Sequence, residues 1–133
     1  MADIRDNAPT IDDIAAMAEQ VLAELPAQFR GKLHGVGIMV EDRADPVVLR
    51  RLGLRSPWQL LGLYSGVPLP HHSVWDVARF PERILLYREP ILLQWQRSNT
   101  DLLGLVRHVL IHEIAHHFGF SDEEIHLVEQ GPD

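Results

Sequence analysis

Apolar residues recur along this chain with two different periods, and the switches between those periods mark its elements. After Thr10, the residues Ile11, Ile14, Ala15, Ala18, Val21, Leu22 and Leu25 repeat at helical spacing, with Asp12 and Asp13 in the first turn, where the helix dipole favours acids. A helix over about 11–24 is predicted, ended by Pro26. Residues 33–40 then alternate apolar with small or polar side chains, the period of a half-buried strand, and 41–45 form a charged exit loop. Further on, Gly53 and Pro57 break the segment from Arg50 to Pro57, and 60–66 suggest a second strand closing in a turn. Pro68, Pro70, Pro81 and the pair His71 and His72 make 67–81 a loop. A further strand is expected over 83–88, its extent limited by Pro90. The cap-forming run Ser98 to Asp101 precedes Leu102, Leu103, Leu105, Val106, Val109 and Leu110, so a long helix over about 99–118 follows. Gly119 is suited to the left-handed turn that stops it, and Ser121 to Glu124 is a capping box opening a short final helix through Val128.

Length and composition sharpen this picture. With 133 residues, no internal repeat and no linker long enough to separate two bodies, the chain is expected to be one domain over 1–133. A hydrophobic fraction of 46% with 23% charged residues fits a globular protein, and no apolar run approaches the roughly 18 residues a membrane-spanning helix needs. The opening MADIRDNAPT holds neither an apolar signal core nor an Arg-rich, acid-poor leader, so a cytoplasmic location is expected. A formal charge of −7 repels phosphate backbones, which disfavours a nucleic-acid partner. The absence of Cys excludes disulfides, thiolate ligands and a cysteine nucleophile, leaving imidazole and carboxylate to hold any metal. Five of the eight histidines fall within the last 26 positions, and the chemistry is therefore sought there.

Residues four apart on a helix share a face, so His112 and His116 can aim two imidazoles at one cation, with Glu113 beside it to polarise a bound water. A catalytic site needs a third protein ligand and an open position. Gly119 allows the backbone to turn, and Asp122 can then return toward the metal with a carboxylate oxygen. An acid at Asp122 also suits the first turn of a helix without any metal, and His112 and His116 could instead be core histidines satisfied by backbone groups. By chance, the spacing His-Glu-x-x-His should arise in roughly three chains in a hundred of this composition; adding Gly119 and Asp122 reduces that to about one in six thousand.

These residues resemble the zincins with the pattern HExxHxxGxxD, and within them a small bacterial group with a minimal zincin fold. The likeness extends to Glu41-Asp42-Arg43, to Leu61 through Leu69 and to Ile84 through Ile91. It implies an α/β (α+β) domain with a small mixed sheet, a long metal-binding helix and a short C-terminal helix. It also implies a Zn²⁺ ion on His112, His116 and Asp122, with Glu113 as general base of a peptidase acting on a peptide or protein. Larger metzincins carry a methionine turn after the motif, whereas none of the eleven residues after Asp122 is Met. The alternative is a non-catalytic domain, stabilised by its metal or binding peptides on a zincin scaffold.

Other residues receive blander readings. His108 lies one turn before His112 and is given no role. His117 points about 100° away from His116 and, with His34, His71, His72 and His126, is expected at the surface. Zincin peptidases lay an extended substrate along an edge strand, for which 84–88 is the candidate. Tyr64 or Tyr87 could offer a hydroxyl to a developing oxyanion, although both suit structural roles; Trp58, Trp75 and Trp95 are expected to pack in the core or loops.

Overall fold

The computed structural model of the protein describes residues 8–66, 82–119, 123 and 126, with Gln28, Lys32 and His116 described by their backbone alone. Helix α1 (Ile11–Glu24) begins where the sequence indicates, because Thr10 and Asp13 cap it reciprocally: the Thr10 hydroxyl accepts from the Asp13 N–H at 3.1 Å and the Asp13 carboxylate from the Thr10 N–H at 2.8 Å. Pro26 opens a single α-turn, Ala27–Arg30, which runs into a 3₁₀ turn at Gly31–Leu33. Strand β1 (Val36–Glu41) starts three residues later than expected, since Gly35 takes a left-handed φ of 82° and turns the chain first.

Two helices lie where the apolar pattern predicts none. Helix α2 (Pro46–Leu52) is capped by Asp45, whose carboxylate accepts from the Val47 N–H at 2.8 Å; it places Pro46 where no intrahelical donor is needed and ends on Gly53 at φ 71°. Helix α3 (Arg88–Arg97) follows the preceding strand without a linker, and Pro90, expected to mark the limit of that strand, sits in the helix's first turn. The long helix α4 (Leu102–Phe118) starts at Leu102 rather than about 99, behind the cap Asp101, whose carboxylate accepts from the Gly104 N–H at 2.7 Å. Gly119 stops it at φ 66°, as its position after the apolar repeat suggests. Of the expected final helix, only Glu123 and His126 are described, both helical; Asp122, the rest of that helix and the 67–81 segment lie outside the described residues.

The described strands form one mixed sheet in the order β1-β3-β2, with β2 at Gly62–Ser65 and β3 at Glu82–Tyr87. β1 runs parallel to β3, pairing Val36 with Glu82 through Glu41 with Tyr87, while β2 runs antiparallel to β3, pairing Gly62 with Leu86 through Ser65 with Arg83. This bears out the α+β class with a small mixed sheet. It corrects the expectation for 84–88: β3 is hydrogen-bonded on both sides, so it has no free edge on which to receive a substrate, and among the described residues β1 and β2 form the edges.

The sheet is covered on both faces. Ile84 and Leu86 point into the larger core with Ile14, Ala18 and Val21 of α1, Ile91 of α3, and Val106, Leu110 and Ile114 of α4. Leu85 and Tyr87 point the other way, onto Ala44, Val48 and Leu49 at α2. Burying a side chain such as Leu or Ile contributes about 1.5–3 kcal/mol, so this double layer outweighs the exposed ion pairs around it. Those pairs still tie elements together: Arg88 bonds the Pro9 carbonyl at 2.6 Å and Asp42 at 3.2 Å, and Arg107 reaches Glu24 on α1 at 3.4 Å. No helix of the described residues is long and apolar enough to cross a membrane.

Candidate metal centre

Helix α4 divides its residues sharply. Leu102, Leu105, Val106, Leu110 and Ile114 are buried, and His108, His112 and His117 are exposed. This division follows from the 3.6-residue period: a continuous apolar stripe anchors the helix, and whatever lies opposite it is presented outward on a rigid support. His112 is therefore outward, Glu113 half-buried at the margin of the stripe, and the backbone of His116 one turn beyond His112 in the same helix. The rings of His108 and His112 lie 4.1 Å apart between centroids with a 45° tilt, so His108, given no role above, touches the expected ligand.

The approach of α4 to β2 depends on a glycine. A Cβ on Gly62 would stand 2.8 Å from Cγ1 of Val109, 3.3 Å from the Leu85 carbonyl oxygen and 3.4 Å from Cγ of Glu113. Only the absence of that carbon lets the helix lie close enough for the Glu113 side chain to rest against the strand. Gly62→Ala is expected to cost about 1–3 kcal/mol by overpacking against the buried Val109. Urea unfolding measures this directly; a variant as stable as the parent would show that the contact yields without strain.

Past Gly62, the strand carries Tyr64 to a neighbouring position on the same side of the sheet. Its ring stacks on His117 with centroids 3.8 Å apart and planes 9° from parallel, and Phe118 meets the Tyr64 ring edge-on at 5.9 Å. The Tyr64 hydroxyl donates to Glu82 Oε2 at 2.9 Å, and the other carboxylate oxygen stands 3.8 Å from His117 Nε2. Burial first, then the hydrogen bond and the charge of Glu82, push the Tyr64 hydroxyl far above its ordinary titration range, so it remains a donor at any physiological pH. His117 is exposed as helix geometry predicts, at 37% of its side chain, and it also joins an aromatic group with Tyr64 of β2 and Phe118 of its own helix, whose ring meets it edge-on at 4.9 Å.

Glu113, His117, Gly62 and Tyr64 form one side of an open groove of about 450 Å³, and Leu52, Leu54, Leu60 and Leu63 line the rest. Tyr87 is not on this groove. It is 1% exposed against the α2 side of the sheet, its hydroxyl pushed up chiefly by burial and then by Glu41, Asp45 and Glu113. Trp95 packs partly on the larger core, whereas Trp58 stands 44% exposed with the Arg43 guanidinium 5.7 Å above its ring, and Trp75 lies outside the described residues. His34 and His126 are exposed as expected.

The donor chemistry fits a divalent transition metal: imidazole is available on an outward helix face, with a carboxylate at its margin and no thiol in the chain. Of the expected ligands His112, His116 and Asp122, only His112 has a described side chain. Among the described residues no three His, Asp or Glu side chains form a metal-binding group. Compared with known proteins, the chain matches a family model described as a zincin-like metallopeptidase over residues 33–131. That span takes in β1, the whole sheet, the groove and α4, and leaves out α1. No curated protein matches the chain.

Proposed function

The chain belongs to the zincin-like metallopeptidases, and from that membership we propose a zinc-dependent peptidase with His112, His116 and Asp122 as metal ligands and Glu113 as general base. The observation that carries this reading is the division of α4: His112 faces outward, position 116 follows one turn later, and Glu113 is half-buried beside an open groove. Two imidazoles and a carboxylate are a zinc-ligand set that leaves one coordination position open. Zinc bound there would supply Lewis acidity to the scissile carbonyl and lower the pKa of water toward neutrality.

The remaining work falls to side chains of the chain itself. One carboxylate oxygen of Glu113 takes a proton from the attacking water and delivers it to the departing amine nitrogen, for which a carboxylate of fixed direction is needed. The missing Cβ of Gly62 contributes that fixity by letting the Glu113 side chain rest against β2. The substrate is a peptide or protein in extended form, since the outer edge of β2, which pairs with no strand among the described residues, lies beside the same groove.

Protein purified without added metal is expected to carry about one zinc per chain, to cleave members of a mixed peptide pool, and to lose that cleavage to a chelator and regain it with zinc. Cleavage that survives complete metal removal overturns the proposal. One zinc per chain without cleavage of any peptide would instead identify a non-catalytic metal-stabilised domain.

A further inference from the structure

The groove beside Glu113 does not end at β2. Leu52, Leu63 and Tyr64 also wall a second depression of about 320 Å³, to which Val48, Arg51 and Ser65 contribute. Leu63 and Tyr64 point to opposite faces of the sheet, so the two depressions together form a channel that wraps the outer edge of β2. Four leucines, Leu52, Leu54, Leu60 and Leu63, are its commonest lining residue. Leu52, at the junction, is 44% exposed although Val48 and Leu49 of the same helix are buried, and burying an exposed leucine is favourable for whatever covers it. The ionisable lining residues are Glu113 and His117 in the first depression and Arg51 in the second, and no acid lines the second among the described residues. Arg51 makes no ion pair among them either, in a chain whose formal charge is −7.

We propose that this leucine-lined channel selects the substrate: it takes an extended peptide bearing a large apolar side chain (Leu, Met or Phe) next to the bond presented to Glu113, and an acidic group farther along, at Arg51. The inference rests on the peptidase reading for the identity of that bond, and on the channel alone for the preference. An apolar pocket distinguishes side chains by the area it covers, which at one or two carbons corresponds to about tenfold or more. The contribution of Arg51 is smaller, because an exposed cation is screened by water and salt; it shows as a preference of a few fold that fades at high ionic strength.

The test separates binding from turnover. Full-length Glu113→Gln protein loaded with zinc is titrated with fluorescein-labelled decapeptides of one sequence, carrying Leu, Ala, Asp or Lys at the central position and either an acidic or an amidated neutral end. Wild-type protein is given the unlabelled peptides, and cleavage is read by mass spectrometry. The Leu peptide is expected to bind at least about tenfold more tightly than the Ala, Asp and Lys peptides. Leu52→Ser, a change at an exposed position, should reduce that preference to less than about threefold, and Arg51→Gln should remove the salt-sensitive advantage of the acidic end. Equal binding of the Leu and Asp peptides, binding by none, or a preference that survives both Leu52→Ser and Leu63→Ser overturns the inference. Selective binding without cleavage leaves the channel's preference standing and removes the peptidase reading, whereas cleavage without preference does the reverse.

Discussion

Glu113→Gln is expected to lower peptide hydrolysis by about 10²- to 10⁴-fold while leaving one zinc per chain and an unchanged melting transition. The substitution keeps the volume of the side chain and its place beside Gly62, so the close approach of α4 to β2 survives. It removes only the capacity to accept and return a proton. Because Glu113 lies between the two histidine positions and is not itself one of the proposed ligands, zinc retention with loss of turnover is the signature of a base. Turnover retained above about a tenth of the parent rate, on the best-cleaved peptide, would exclude Glu113 from that role. Loss of zinc together with activity would make it a ligand instead.

The second large effect is expected at Asp122. Asp122→Ala should weaken zinc binding beyond the roughly 10- to 100-fold that follows from losing an outer hydrogen-bond partner of a ligand, measured by competition with a chromogenic chelator. The competing explanation for an acid at this position is electrostatic. Near a helix N-terminus a carboxylate stabilises by about 0.3–1 kcal/mol without touching a metal, and its removal would then lower stability slightly with zinc affinity intact. The two quantities move independently, so one variant measured both ways assigns the residue.

How much of this was visible in the sequence depended on whether the signal was local. Helix α1 was legible to the residue because its cap is written in four consecutive positions, Thr10 to Asp13, and the end of α4 because Gly119 follows an apolar repeat. Helix α2 carries an equally local signature, Asp45 and Pro46 at one end and Gly53 at the other, but Gly53 together with Pro57 reads equally as loop punctuation. Pro90 misled in the same way: a proline that cannot continue a strand is well suited to the first turn of a helix, and α3 begins directly at Arg88. The order of the strands had no local signature at all. Whether 84–88 lies at the centre or the edge is decided by which neighbours cover it, and its unbroken apolar run, Ile84 to Tyr87, fits a strand buried on both faces better than one at an edge.

The candidate site divides along the same line. The spacing of His112, Glu113 and His116 on one helix follows from the period of that helix alone. The stack of Tyr64 on His117, the role of Gly62 and the leucine channel do not, since each joins α4 or α2 to β2 across many residues of sequence. Gly62 had a faint local sign, a glycine within an apolar strand, which often marks a close approach by another element.

The position of β3 between two ladders has a consequence for measuring how the protein opens. Its amide hydrogens are committed to β1 and β2 and lie beneath side chains on both faces, so their exchange with solvent deuterium should await disruption of the whole sheet. Alternate amides of β2 point outward from the ladder and pair with no strand among the described residues, so they are expected to exchange on the timescale of local fluctuation. Slowing confined to that outer row upon adding a peptide, with β3 unaltered, would mark where the chain receives its ligand without reference to any turnover.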